Sequence, residues 1–370
     1  MAWLLNFHLI LLFVSWSSSY VSAQFFESRN LNFADSRQLI IAPGSGGTTG
    51  IAVADFNGDG YLDVYFVVHN KSLANDIRTQ SRLFQFDGEF YVDATPLAGT
   101  GARGITQLIW SQYGHNIGAS WGDYNNDGFP DLFLANNGSD LLLKNLGNGR
   151  FQDITSKAGV AGQDSLQSSQ GLWFDYDTDG DLDLYVATRE NWSIGPDRPV
   201  NRMYENVGED EFLDVSQLSG LADSGLTFTT LALDVNNDSH LDLYLANDFG
   251  RNKLYLNNGD KTFSENTDAF GLNDWGEGMG LAIGDPDLNG HFDLFLTNVT
   301  ENGQSELRFN RLFLNSGENI FTHAEFESGV SEAGWGWGTQ FADFDNDGDE
   351  DLFVSNGYFS QNPPDINLLF

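Results

Sequence analysis

Six nine-residue segments place acidic and amide side chains at positions 1, 3, 5 and 9, with glycine or serine at position 6. The first holds Asp55, Asn57, Asp59 and Asp63, and the second Asp123, Asn125, Asp127 and Asp131. The third holds Asp175, Asp177, Asp179 and Asp183, and the fourth Asp234, Asn236, Asp238 and Asp242. The fifth holds Asp285, Asp287, Asn289 and Asp293, and the sixth Asp343, Asp345, Asp347 and Asp351. Three or four carboxylates drawn into one tight turn repel one another, and without a cation some must take up protons. The ligands are all oxygen, without cysteine and without clustered histidine, which selects a hard divalent ion. Calcium, with its flexible demand for six to eight oxygens, fits this set better than octahedral magnesium. Position 7 offers a backbone carbonyl, from Tyr61, Phe129, Asp181, His240, His291 and Asp349 in turn. Glycine at position 6 permits the sharp turn, as in the first half of an EF-hand loop. An EF-hand also needs Glu at position 12 and flanking helices, whereas here an apolar, β-type stretch begins near position 8. The six segments predict up to six calcium ions in loops between strands.

The elements that must position these loops also repeat. First residues of consecutive loops are 68, 52, 59, 51 and 58 apart, the length of one four-stranded sheet with its turns. Each loop lies between strand-like stretches, for example residues 51–54 and 62–67. A second pattern follows: Arg202, Met203 and Tyr204, or Lys253, Leu254 and Tyr255, run into Asn-x-Gly and then Phe, as at Asn145, Gly147 and Phe151. Each repeat therefore predicts four short strands and no helix. Four-stranded units of this period bury both faces by radial stacking, so the expected fold is an all-β propeller. Gly50, Gly118, Gly280 and Gly338 lie five positions before their loops, where small residues let innermost strands converge.

Composition narrows the compartment and the partners. Residues 1–23 read as a secretory signal, with an apolar run from Leu9 to Val14 and small residues ending at Ala23. The propeller is then expected over 24–370, in a secreted, extracellular protein, or at the periplasm or cell surface in a bacterium. There is no cysteine, so metals and core rather than disulfides must hold an exported chain. The formal charge of −36, from 53 acids against 17 bases, repels phosphate and excludes nucleic acid as a partner. With 14% aromatic and 41% hydrophobic residues the chain is not a disordered acidic tail.

These residues resemble FG-GAP/VCBS repeats, the module of integrin α-subunit propellers and of many secreted bacterial proteins. Phe151, Asp153 and Thr155 after the turn, and the run Gly334, Trp335, Gly336, Trp337 and Gly338, more narrowly resemble the cartilage acidic protein family. The resemblance implies seven blades, with residues 24–41 completing one, and a following ASPIC/UnbV module. The chain reaches Phe370 where other copies run on into Asn-x-Gly, which reads as a truncated repeat. It lacks Arg-Gly-Asp and the Asp-x-Ser-x-Ser ion site, so an integrin-like ligand mechanism is not carried over.

Signatures of catalysis are scarce: there is no nucleophile elbow, no phosphate loop and no cysteine nucleophile. His240 and His291 occupy position 7, where only the carbonyl is required, and their side chains are expected to face solvent. The function expected is binding, adhesion or scaffolding toward an extracellular protein or glycan. The alternative is a propeller enzyme acting on polysaccharide or a small molecule at the central face. An aromatic insertion over 101–118, with Ile105, Leu108, Ile109, Trp110 and Tyr113, is a candidate recognition loop. Basic residues within 189–202 and 301–311 are weaker candidates for anionic glycans. Sequons stand at Asn70, Asn137, Asn191, Asn237 and Asn298.

Overall fold

The computed structural model describes residues 48–68, 81–95, 115–163, 166–189, 200–299, 309–332, 334–356 and 367–370. The stretch 1–23 expected to be a signal, residues 24–41, the insertion over 101–114, the loops over 190–199 and 301–308, and the sequons at Asn70 and Asn191 lie outside the described residues.

Antiparallel strands follow the repeat. The first sheet is Thr48–Ala54, Asp63–Val68, Arg82–Phe86 and Tyr91–Asp93, paired in that order. The second is His115–Gly122, Asp131–Asn137, Leu141–Asn145 and Phe151–Asp153. The third is Gln167–Phe174, Asp183–Arg189, Arg202–Asn206 and Phe212–Asp214, tied to the second by the single pair Asn137 and Gln167. The fourth is Thr227–Leu233, Asp242–Arg251, Lys253–Asn257 and Phe263–Glu265, with Trp275–Glu277 added at the far end of its long second strand. The fifth is Leu281–Gly284, Asp293–Leu296, Arg311–Asn315 and Phe321–His323. The sixth shows Gly336–Ala342, Asp351–Asn356 and Leu368–Leu369. The protein is an all-β propeller, and these sheets are its six described blades.

The second strand of each blade explains why sheets stack rather than face water. Side chains alternate between the two faces of a strand. In the second blade Leu132 and Leu134 enter a cluster with Tyr65, Val67 and Leu83 of the first blade. Phe133 and Ala135, between them, enter a cluster with Leu184 and Val186 of the third. Tyr185 turns the other way, to Leu243 and Leu245 of the fourth. Both faces are buried, so the strand reads as a continuous apolar run. The core is accordingly a series of layers between blades.

The innermost strands of successive blades lie side by side. A β-carbon on Gly118 would come 2.5 Å from the carbonyl oxygen of Ser169 on the next blade, and one on Gly280 would strike the Trp337 carbonyl. The expectation drawn from small residues therefore holds at these two positions. At Gly338 the nearest atom belongs to Ser355 of its own blade, 3.2 Å away, so that glycine answers a different need.

One expectation is corrected. Single helical turns, Thr155–Ala158 and Ser216–Ser219, follow the outermost strands of blades two and three. Their cause is local: Asp153 Oδ1 accepts the Thr155 amide at 2.9 Å, while Thr155 Oγ1 accepts the Leu142 amide at 2.9 Å. The chain is bent into one turn that stops at Gly159, in the left-handed region with φ of 77°. Four residues are too few to show a helical period.

Candidate metal centres

Each loop joins the innermost strand of its blade to the second strand, so all six are carried at equivalent points of the propeller. The position 1 carboxylate organises the turn. Asp55 Oδ1 accepts the Asp59 amide at 3.1 Å and Oδ2 the Gly60 amide at 2.8 Å. The same two bonds join Asp123 to Asp127 and Gly128, Asp175 to Asp179 and Gly180, and Asp234 to Asp238 and Ser239. They recur at Asp285 with Asn289 and Gly290, and at Asp343 with Asp347 and Gly348. Position 3 accepts the amide of position 5, and position 5 that of position 7, through to Asp349. The backbone is thus coiled around side-chain oxygens.

Position 9 closes the loop from the strand. Asp63, Asp131, Asp183, Asp242 and Asp293 are buried, while Asp351 is half-buried. One oxygen of Asp183 accepts the Asn206 amide at 2.7 Å and the other the Tyr176 amide at 3.1 Å. Burial pushes Asp63, Asp183 and Asp293 up to about 7, Asp131 to about 8 and Asp242 to about 6, and neighbouring loop carboxylates add to the rise. Asp345 is also raised, first by desolvation and then by the charges of Asp347, Asp351 and Asp343.

The residues fit a hard cation. In the third loop Asp175, Asp177 and Asp183 each bring an oxygen within 4.8 Å of the others. The fifth loop does the same with Asp285, Asp287 and Asp293, and the sixth with Asp343, Asp345 and Asp347. Asp293 Oδ2 is buried without a hydrogen-bond donor, which an ion at that point would remedy. Loops one, two and four carry Asn at position 3, and there an amide group takes that carboxylate's place. Asn57 and Asn236 each donate to the position 5 carboxylate at 2.9 Å, and Asn125 donates to Asp131 at 3.3 Å.

Three features of the loops escaped the sequence reading. First, position 4 is left-handed in all six: Gly58, Asn126, Thr178, Asn237, Leu288 and Asn346 have φ between 56° and 73°. Asn at three of these six was the available signal, because Asn tolerates that region. Second, position 2 anchors the loop in the layer between blades: Phe56, Tyr124, Tyr176 and Val235 are all buried. Third, the Asn of the Asn-x-Gly turn joins two loops. Asn206 Nδ2 donates at 2.8 Å to the Tyr124 carbonyl in the second loop and at 3.1 Å to the Leu182 carbonyl in the third. Asn145 and Asn257 make the equivalent bridges to Phe56 with Pro130, and to Tyr176 with Leu241.

Two side-chain expectations are corrected. His240 and His291 are half-buried over the Asn-x-Gly turn of their own blades, where they fill the space a β-carbon on Gly259 or Gly317 would need. Phe129 does the same over Gly147, so position 7 supplies packing as well as a carbonyl. Asn298 is fully buried, its amide donating to Asp274 and to the Phe309 carbonyl, so in the folded chain it is no glycan acceptor.

A family model for FG-GAP-like repeats matches residues 10–66, 123–186, 175–245, 234–296 and 285–354. The chain belongs to the FG-GAP-like repeat family. Its matched repeats carry five of the six loops in overlapping pairs beyond residue 123, and the first loop in the segment before residue 66. Cartilage acidic protein 1 of Mus musculus is 29% identical over 254 residues, 64% of this chain and 38% of that protein. The Homo sapiens protein of the same name is 23% identical over 351 residues, 76% of this chain and 52% of that one. The FG-GAP chain thus spans about half the length, or less, of these relatives. Among solved structures, an Agrocybe aegerita lectin described as recognising non-reducing terminal N-acetylglucosamine aligns over 82% of this chain and 73% of its own, at 16% identity and a TM-score of 0.47. The Dos1 propeller aligns over 84% and 66%, at 10% identity and a TM-score of 0.45. At those scores the likeness adds nothing to what the repeats establish. Among the described residues, no helix is long and apolar enough to cross a membrane.

Proposed function

We propose that this chain is a secreted calcium-binding propeller that serves as an extracellular binding or scaffold module rather than as an enzyme. The observation that carries the metal reading is the buried position 9 aspartate, repeated at five loops, whose burial and acidic neighbours oppose its ionisation until a cation arrives. The ions would be held by side-chain oxygens of positions 1, 3, 5 and 9 and the carbonyl of position 7. Calcium bound there supplies charge neutralisation and cross-linking of each turn, which fits a structural part in a scaffold. The extracellular reading rests on the apolar leader over 1–23 and the strong acidity. The relatives' name associates them with cartilage and with acidity, and this chain's charge of −36 agrees with the second.

Elemental analysis of the purified chain after equilibrium dialysis against millimolar calcium, read against the dialysate as blank, tests the metal reading. Several calcium ions per chain are expected, and none retained would overturn it. The binding reading is tested by immobilising the calcium-loaded protein and passing extracellular matrix extract and a glycan array over it. Retention without product formation supports a module, whereas turnover of a retained glycan would replace it with the enzyme.

A further inference from the structure

Among the described residues, the third loop differs from its neighbours in being touched by a cation of the chain itself. Lys261 lies in the turn that leads into the outermost strand of the fourth blade, at a left-handed φ of 69°. Its Nζ meets Asp177 Oδ2 at 2.5 Å and Glu205 Oε1 at 2.7 Å, both on the preceding blade. Glu205 is in turn bound by the Tyr176 hydroxyl at 2.9 Å. These two hydrogen bonds hold the Lys261 ammonium more firmly protonated than usual. Asp177 is position 3 of the third loop, and its side chain is only 1% exposed.

The equivalent turn residues of the second, third and fifth blades are Gly149, Asp210 and Asn319, all with positive φ and none of them a cation. Asp210 reaches the blade before it with the polarity reversed, meeting Lys144 at 2.6 Å, Lys157 at 3.0 Å and the Tyr124 hydroxyl at 2.7 Å. Of the four loops that these described turns face, the first to the fourth, only the third has an acidic third position, and the lysine falls there. Asp287 and Asp345 of the fifth and sixth loops have no equivalent turn among the described residues. The first, second and fourth loops carry Asn57, Asn125 and Asn236 there and three carboxylates each; the third carries Asp177 and four. Lys261 sits on the extra one.

We propose that Lys261 is a tethered cation of the third loop, holding Asp177 through one oxygen so that the loop stays compensated when calcium is scarce and binds it more weakly than four carboxylates otherwise would. The inference rests on the loops being calcium sites. Two effects of the lysine oppose each other. Holding Asp177 in place favours binding, but Asp177 is already buried and accepts the Asp179 amide at 3.2 Å, so little order is added. Repulsion between an ammonium and a divalent ion sharing one carboxylate costs about tenfold in affinity even in a water-like dielectric, and repulsion prevails.

Calcium titrations in competition with a chelator, on full chains checked for folding by circular dichroism, test this. Lys261→Met is expected to tighten one site about tenfold and to enlarge the rise in Tm produced by calcium. Lys261→Arg should keep the wild-type affinity, since charge and reach remain. In an Asp179→Asn background, which disables the third loop, the tightening should vanish. Unchanged or weaker binding in Lys261→Met, or tightening that persists beside Asp179→Asn, overturns the proposal. Failure of the calcium reading itself is recognised separately, because the wild-type chain would then bind no calcium in the same titration.

Discussion

Ser239 holds a φ of 72° at the sixth position of its loop, where the other five loops carry glycine between 86° and 102°. The left-handed region costs an L-residue about 1 kcal/mol or more, and glycine nearly nothing. Ser239→Gly is therefore expected to raise stability by about 1 kcal/mol in urea unfolding, with or without calcium, and a loss would show that the hydroxyl contributes more than the backbone strain. Asn206 presents the opposite case, since its amide is buried between two loops. Replacing it by Ala strands the carbonyls of Tyr124 and Leu182, at a cost of about 3 kcal/mol. Asn258→Ala, on the exposed neighbour turn, should stay within about 0.5 kcal/mol. Equal effects of the two substitutions in the same unfolding assay would refute the bridging role. The carboxylates and amides gathered at positions 1, 3, 5 and 9 were legible in the sequence because they are set by residue type and spacing. The bridge made by Asn206 was not, because its acceptor lies 82 residues away on another blade.

At the scale of the loop and its strand, calcium bound as proposed would compete with protons for the same oxygens. Asp63, Asp131, Asp183, Asp242 and Asp293 are raised to between about 6 and about 8, chiefly by burial. The calcium-free fold therefore binds more protons than the unfolded chain at pH values between the usual carboxylate range and those raised values. Its contribution from these groups is largest at low pH and is lost as pH climbs through about 4 to 8. Calcium requires the ionised form, so its affinity changes in the opposite sense. The rise in Tm on adding millimolar calcium should be larger at pH 8 than at pH 5.5, and an equal rise at both would count against direct ligation by position 9. Strand positions themselves were legible from the spacing of loops and Asn-x-Gly turns. The helical turns at Thr155–Ala158 and Ser216–Ser219 were not, because a hydroxyl and a carboxylate bent the chain without any periodic pattern.

For the whole molecule, acidity and metal content become one question. A net charge of −36 opposes compaction, and bound cations or salt relieve it. At a dissociation constant of about 10⁻⁴ M, 1 mM calcium contributes about 1.4 kcal/mol per site. Six such sites would rival the total stability of an ordinary domain, about 5–15 kcal/mol. Chelation should accordingly lower Tm by many degrees, and added sodium chloride should recover part of that loss in the calcium-free chain while doing little for the loaded one. A salt response of the same size in both forms would argue that the loops are not the main seat of repulsion. The sequence by itself determined the repeat, the four-stranded unit, the propeller class and the recurrence of carboxylates in each loop, because these depend on residue type and on spacing within one blade. Only the tertiary structure decided which carboxylates are buried, which loops share an amide bridge, and that Lys261 reaches Asp177 across a blade boundary. Those contacts arise from the stacking of neighbouring sheets, where residues 50 to 90 positions apart are brought face to face, and no local pattern records which of them will meet.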